Sequence, residues 1–420
     1  MDRATPVSTE AISALERPRP ALKRSVGLLL AVLYGLGVTI GAGIYVLIGA
    51  AAGRAGIYAP MAFLVAGGIM GLTACTFAEL VGRMPVSAGE AAYVRAGFGS
   101  ERLALVVGLL VIAAAIVAAA AITNGSVGYI HVFLDVRPSA LAMLVLLTMG
   151  GIAAFGMLTS AWIAGLMTVI EIGGLVAIIV AGVGAKPVIL LDIGAAVPSL
   201  RDAAAWSGVL AAIMLAFFAF IGFEGLVNIA EEVRSPEKTL PRAIFLTLAI
   251  STILYMLVIA VALAVVPKAE LAASGAPLVL VFERVTRAPP HIVTAIAIIA
   301  TLNGIIAQIV LSSRVMYGLA VAGELPKPLT RVNARTQTPL LATGIATGLA
   351  IVLATQFRID RLANMTSLII LAIFFLLNIA LIRIKRRHEP APPHVFVAPF
   401  WTPPVAAASC AMLFLAAMLG

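Results

Sequence analysis

The chain has 420 residues, 62% of them hydrophobic and 11% charged, with a formal net charge of +9 at pH 7. No soluble single-core domain carries that balance, which marks a polytopic membrane protein. The 28 Lys and Arg residues are scattered through short loops with no basic stripe or interleaved aromatics, so they speak for topology and anionic lipid rather than nucleic acid. Cys75 and Cys410 lie in separate apolar runs, and the four histidines lack ligand spacing, so neither a disulfide nor a metal site is expected.

Residues 1–24 are polar and end on Arg17, Arg19, Lys23 and Arg24 without a small-residue cleavage site, which predicts a retained cytoplasmic tail. Eleven apolar runs follow, at about 25–50, 58–82, 102–130, 139–157, 159–184, 204–230, 242–266, 290–318, 338–356, 363–383 and 398–419. Placing the N-terminus inside puts 19 of the 28 Lys and Arg on the cytoplasmic side, and that excess supports this orientation in a cytoplasmic membrane.

Span 1 carries Thr39-Ile40-Gly41-Ala42-Gly43-Ile44-Tyr45 near its middle, and span 6 carries Phe218-Ala219-Phe220-Ile221-Gly222-Phe223-Glu224-Gly225. Every backbone group in hydrocarbon must be satisfied, so a helix loosened there belongs beside a cavity or a polar ligand. The two runs lie about 181 positions apart, five spans separate their starts, and spans 1–5 therefore face opposite to spans 6–10. This layout predicts an all-α transporter with two inverted five-span repeats (about 25–184 and 204–386), broken helices 1 and 6, and a C-terminal addition over 387–420.

Breaks of this kind act through their loose ends. The half of span 1 after Gly43 would present free N–H groups and a positive dipole end to a carboxylate, and the half of span 6 ending near Ile221 would present carbonyls to an ammonium. One small zwitterion satisfies both, which points to an α-amino acid or a close relative. Close helix packing is the other use of such glycines.

The span-1 run, Ala78 to Glu90, the span-6 run with Glu231 to Glu237, and Ser313-Arg314-Val315-Met316-Tyr317-Gly318 followed by Gly323-Glu324-Leu325-Pro326-Lys327 resemble the amino acid–polyamine–organocation permeases, in order and over about residues 23–386. The resemblance implies alternating access around the two breaks. It assigns the substrate carboxylate to the backbone of Gly41, Ala42 and Gly43 beside Ile44, and the amino group to the carbonyls of Thr39, Ile40, Phe218 and Ile221. Phe218, near Phe220 and one turn before Gly222, resembles the aromatic that closes over bound substrate; a core or lipid-facing aromatic is the alternative. That superfamily usually has twelve spans, and eleven are counted here.

Glu171 sits at the centre of span 5, where a charge costs about 2.5–3.5 kcal/mol. Some members of the resembled superfamily carry a lysine there, in the place of a sodium ion. A carboxylate at that position serves as a proton, cation or amine site, or else is a neutral carboxyl bonded to a neighbouring helix. Glu224 can accept N–H bonds from the span-6 break or carry a proton, and Asn303 is a pocket group or an interhelical contact. Glu79, Glu90 and Arg314 are cytoplasmic gate partners or snorkelling charges. The expected function is secondary transport of amino acids, with protons as coupling ion and lipids as the surrounding partner; exchange of amino acid for amine, and sensing without transport, are alternatives. No catalytic motif or cofactor signature is present, and nothing fixes an oligomeric state.

Overall fold

The structure is a computed structural model that describes residues 24, 26–85, 89–155, 161–186, 197–199, 201–230, 232–287, 289–387 and 390–419. The tail expected over 1–24 lies outside them except for Arg24, as do residues 86–88 and Glu231 of the quoted motifs. Fourteen α-helices follow one another among the described residues: α1 (Leu28–Ala55), α2 (Ala59–Arg83), α3 (Gly89–Phe98), α4 (Glu101–Ile130), α5 (Pro138–Phe155), α6 (Ala161–Ala185), α7 (Ala203–Phe220), α8 (Pro236–Val265), α9 (Lys268–Ala273), α10 (Pro277–Thr286), α11 (His291–Val321), α12 (Leu340–Gln356), α13 (Ile359–Arg386) and α14 (Thr402–Leu419). Eight stretches among the described residues are long and apolar enough to cross a membrane by length and composition, and three further apolar helices are shorter. A helix rises 1.5 Å per residue, so such stretches match a hydrocarbon core of about 30 Å.

Span 6 breaks where the sequence suggests. Helix α7 ends at Phe220, Ile221 is extended, Gly222 takes φ 131°, and a 3₁₀ segment continues over Phe223–Ile229. Only glycine adopts that φ without strain, and a Cβ at Gly222 would also press to 2.8 Å from the Val38 carbonyl of α1. The Gly222 N–H, which the break deprives of a helical acceptor, donates to Glu224 Oε2 at 2.8 Å.

Span 1 differs from the expectation. Helix α1 runs from Leu28 to Ala55 without interruption, so no helix end is presented at Gly41–Gly43 in this conformation. Here the glycines serve close approach: a Cβ at Gly43 would overlap the Ala219 Cα of α7 and lie 2.6 Å from its Cβ. Helices α1 and α7 cross there backbone to backbone.

The face that carries the start of α1 is tied across the chain. Val26 N–H donates to the Glu232 carbonyl (3.0 Å), and the Arg234 N–H donates to the Val26 carbonyl (2.9 Å). On the same face Glu79, fully buried on α2, meets Arg83 at 2.8 Å and Lys385 Nζ at 2.7 Å, and accepts the Ala398 N–H at 2.9 Å. This node joins α2, the end of α13 and the chain leading into α14. Glu79→Gln leaves two nearly buried cations without their anion, so a loss of about 3 kcal/mol is expected in thermal unfolding of the purified protein.

A candidate substrate and coupling site between α1, α6, α7 and α11

Three of the expected residues meet behind α1. A Cβ at Gly41 would lie 3.0 Å from the Ala300 carbonyl of α11 and 3.6 Å from Glu171 Oε2 of α6. Asn303 of α11 donates through Nδ2 to Glu171 Oε1 at 3.4 Å, a long hydrogen bond. Glu171 is wholly buried, its Oε2 has no hydrogen-bond partner among the described residues, and no ion pair there reaches it. A bare carboxylate in such surroundings is costly, so a proton or a bound cation must neutralise it in this conformation.

Tyrosines frame this centre. Tyr45 of α1 donates to the Glu171 backbone carbonyl at 2.7 Å, and the Tyr129 hydroxyl of α4 donates to the Tyr45 carbonyl. Tyr255 of α8 places its hydroxyl 2.9 Å from both the Thr39 carbonyl and the Ala219 carbonyl. One O–H thus stands between the carbonyls of α1 and α7. None of these partners is marked in the sequence by spacing, because Tyr255 lies 216 positions from Thr39.

The other expected residues are placed as follows. Ile40 and Ile44 are fully buried on α1, while Ala42 lies within the same helix. Phe218 is buried on the last turn of α7, and its carbonyl accepts the Ile221 N–H at 3.1 Å, closing the helix end. Phe220 packs on Tyr255 with centroids 5.0 Å apart and on Phe63, which makes it part of an aromatic contact between α2, α7 and α8. Ile221 and Gly222 line a cavity of about 30 Å³ together with Val38, Glu90, Glu224 and Gln308, enough for a water molecule or two. Ala114, Ala115 and Ala118 of α4 line it as well.

The gate residues are not brought together. Glu79 belongs to the node with Arg83 and Lys385, Glu90 faces the cavity, and Arg314 is exposed on α11 and makes no ion pair among the described residues. Arginine at a helix end reaches water along its own stem, which satisfies it without a partner across the gap.

The sequence profile of the family described as amino acid permease matches residues 26–420. The branched-chain amino acid permease BcaP of Bacillus subtilis is 28% identical, the match covering 90% of this chain and 84% of that protein. An uncharacterized transporter of Mycobacterium tuberculosis (strain H37Rv) is 33% identical over 85% of this chain and 79% of its own. Cationic amino acid transporter 4, vacuolar, of Arabidopsis thaliana is 33% identical over 80% of this chain but only 59% of that longer protein. In fold, the chain is similar to a Na⁺-coupled sialic acid symporter solved in a substrate-bound outward-open state, with TM-score 0.60, 15% identity, and coverage of 92% and 90% of the two chains. The chain therefore belongs to the amino acid permease family, within the amino acid–polyamine–organocation superfamily.

Proposed function

We propose that this chain carries amino acids across the cytoplasmic membrane by proton-coupled symport, through alternating access around α1 and the α7 break. The observation that carries the coupling is Glu171: a fully buried carboxyl, with one oxygen unpartnered among the described residues, set against Gly41 and Asn303. Such a group takes a proton on one side of the membrane and releases it on the other when the surrounding helices move. The excess of Lys and Arg in the loops on the side of Val26 supports a cytoplasmic N-terminus.

In this reading the structure is a closed form. The substrate's amino group replaces the Tyr255 hydroxyl between the carbonyls of α1 and α7, and its carboxylate takes the N–H groups freed when α1 unwinds at Gly41, Ala42 and Gly43. Phe218 turns over the bound molecule from the last turn of α7. Spans 1–5 and 6–10 act as inverted repeats about this centre.

A thermal-shift screen of the purified protein against the common amino acids tests the reading at its base. A ligand that binds only the folded state stabilises it by about 2.7 kcal/mol at a hundred times its dissociation constant. At least one amino acid should raise the melting temperature, and the shift should shrink in Phe218→Ala, whose lost aromatic contact is worth roughly 1–3 kcal/mol of binding. No shift with any amino acid at high concentration would contradict it.

A further inference from the structure

We propose that Glu90 and Glu224 share one proton in the closed cavity beneath the α7 break, and that losing it drives α3 away from the break and opens that face of the protein. The cavity brings together α1, α3, α4, the 3₁₀ segment, α11 and α13, and its lining includes these two carboxyls but no Lys or Arg. Two carboxylates that face one small, largely apolar space repel each other, which favours a proton on one of them. A second observation points the same way: Gln308 of α11 lines the cavity, is 8% exposed, and has no hydrogen-bond partner among the described residues. Its amide, with that of Asn228, offers a shared proton or its water both donors and acceptors. The room is that of a water molecule or two, which suits a proton better than a cation with its full set of oxygen ligands.

The charged and titratable groups of the neighbouring elements are engaged elsewhere or lie apart. On α3 itself, Tyr93 keeps a buried hydroxyl without a partner among the described residues, and Arg95 is exposed and paired with Glu101 of α4 and with Glu324. Arg383 of α13 and Arg387 donate to the carbonyls of Ala96 and Gly97, and Arg314 of α11 is exposed. Glu90 lies outside the spans, and burial raises its carboxyl from 4.5 to about 7.

The C-terminal end of α3 is pinned by the two arginines at 2.9–3.1 Å, whereas its N-terminal end rests on the 3₁₀ segment so closely that a Cβ at Gly89 would lie 2.5 Å from Val227 Cγ2. Repulsion between Glu90 and Glu224 therefore acts at the end of α3 that rests on the 3₁₀ segment. Proton sharing stands on this geometry alone, while its use in opening rests on the transport reading above.

Infrared difference spectra of the full chain in lipid, recorded between about pH 6 and about pH 8, test the sharing. The wild type should lose the carbonyl stretch of one protonated carboxyl, Glu90→Gln and Glu224→Gln should each abolish that change, and Glu171→Gln should keep it. If Glu90→Gln does not fold, Glu224→Gln decides. Persistence of the change in these variants, or its removal by sodium at fixed pH, would overturn the proposal. Opening is read separately, from maleimide labelling of Ala115→Cys in a protein whose Cys75 and Cys410 are replaced by alanine. The labelling rate relative to the same protein with Glu90→Gln, a ratio that cancels the thiol's own titration, should rise roughly tenfold over that pH range. A constant ratio would overturn the opening role and leave the transport reading untouched.

Discussion

Gly43→Val is expected to leave little correctly folded protein, because the crossing of α1 and α7 has no room for a side chain. Even the single carbon of Gly43→Ala would lie 2.6 Å from the Ala219 Cβ and overlap the Ala219 Cα. Backbone cannot rotate away as a flexible side chain can, so the helices must part along their contact. Overpacking of this kind costs about 1–3 kcal/mol for a methyl group and more for valine. Tyr255 makes the loss larger, since its hydroxyl reaches the carbonyls of Thr39 and Ala219 only while α1 and α7 stay together. Thermal unfolding of the purified variants should place Gly43→Ala below the wild type and Gly43→Val far below it. Equal melting temperatures for all three would mean that the crossing is not as close as the structure has it.

That result bears on how far the site could be read from residues alone. The span-6 break was legible because Gly222 and Glu224 state the two halves of one problem: a backbone conformation only glycine tolerates, and an acceptor two residues later for the N–H it frees. Glu171 was legible as a charge at bilayer depth. Gly41 and Gly43 were ambiguous for a physical reason, since the absence of a side chain permits either unwinding or close approach, and the neighbouring helix decides between them. In this structure Ala219 decides for close approach. Tyr255 and the ties of Glu79 to Lys385 and Ala398 join positions far apart in the chain, and no local pattern encodes such partners. The apolarity and length of the spans are set by the bilayer, which is why they were the easiest part.

Glu171→Gln is expected to separate binding from accumulation. Glutamine keeps the shape of the protonated carboxyl and can still meet Asn303, so α1, α6 and α11 retain their packing, but it can neither release nor take up a proton. A transporter that moves one proton with each substrate gains about tenfold accumulation per unit of pH gradient. The variant should forfeit that gain entirely while exchanging internal for external substrate at a rate close to wild type. The decisive measurement is uptake into proteoliposomes of the labelled amino acids that raise the melting temperature, with and without an imposed pH gradient at fixed membrane potential, for wild type and Glu171→Gln side by side. The account predicts gradient-driven accumulation of at least one of these amino acids by the wild type alone, with counterflow exchange in both proteins. Accumulation by Glu171→Gln in response to the gradient, or a wild type that exchanges but ignores the gradient, would contradict it.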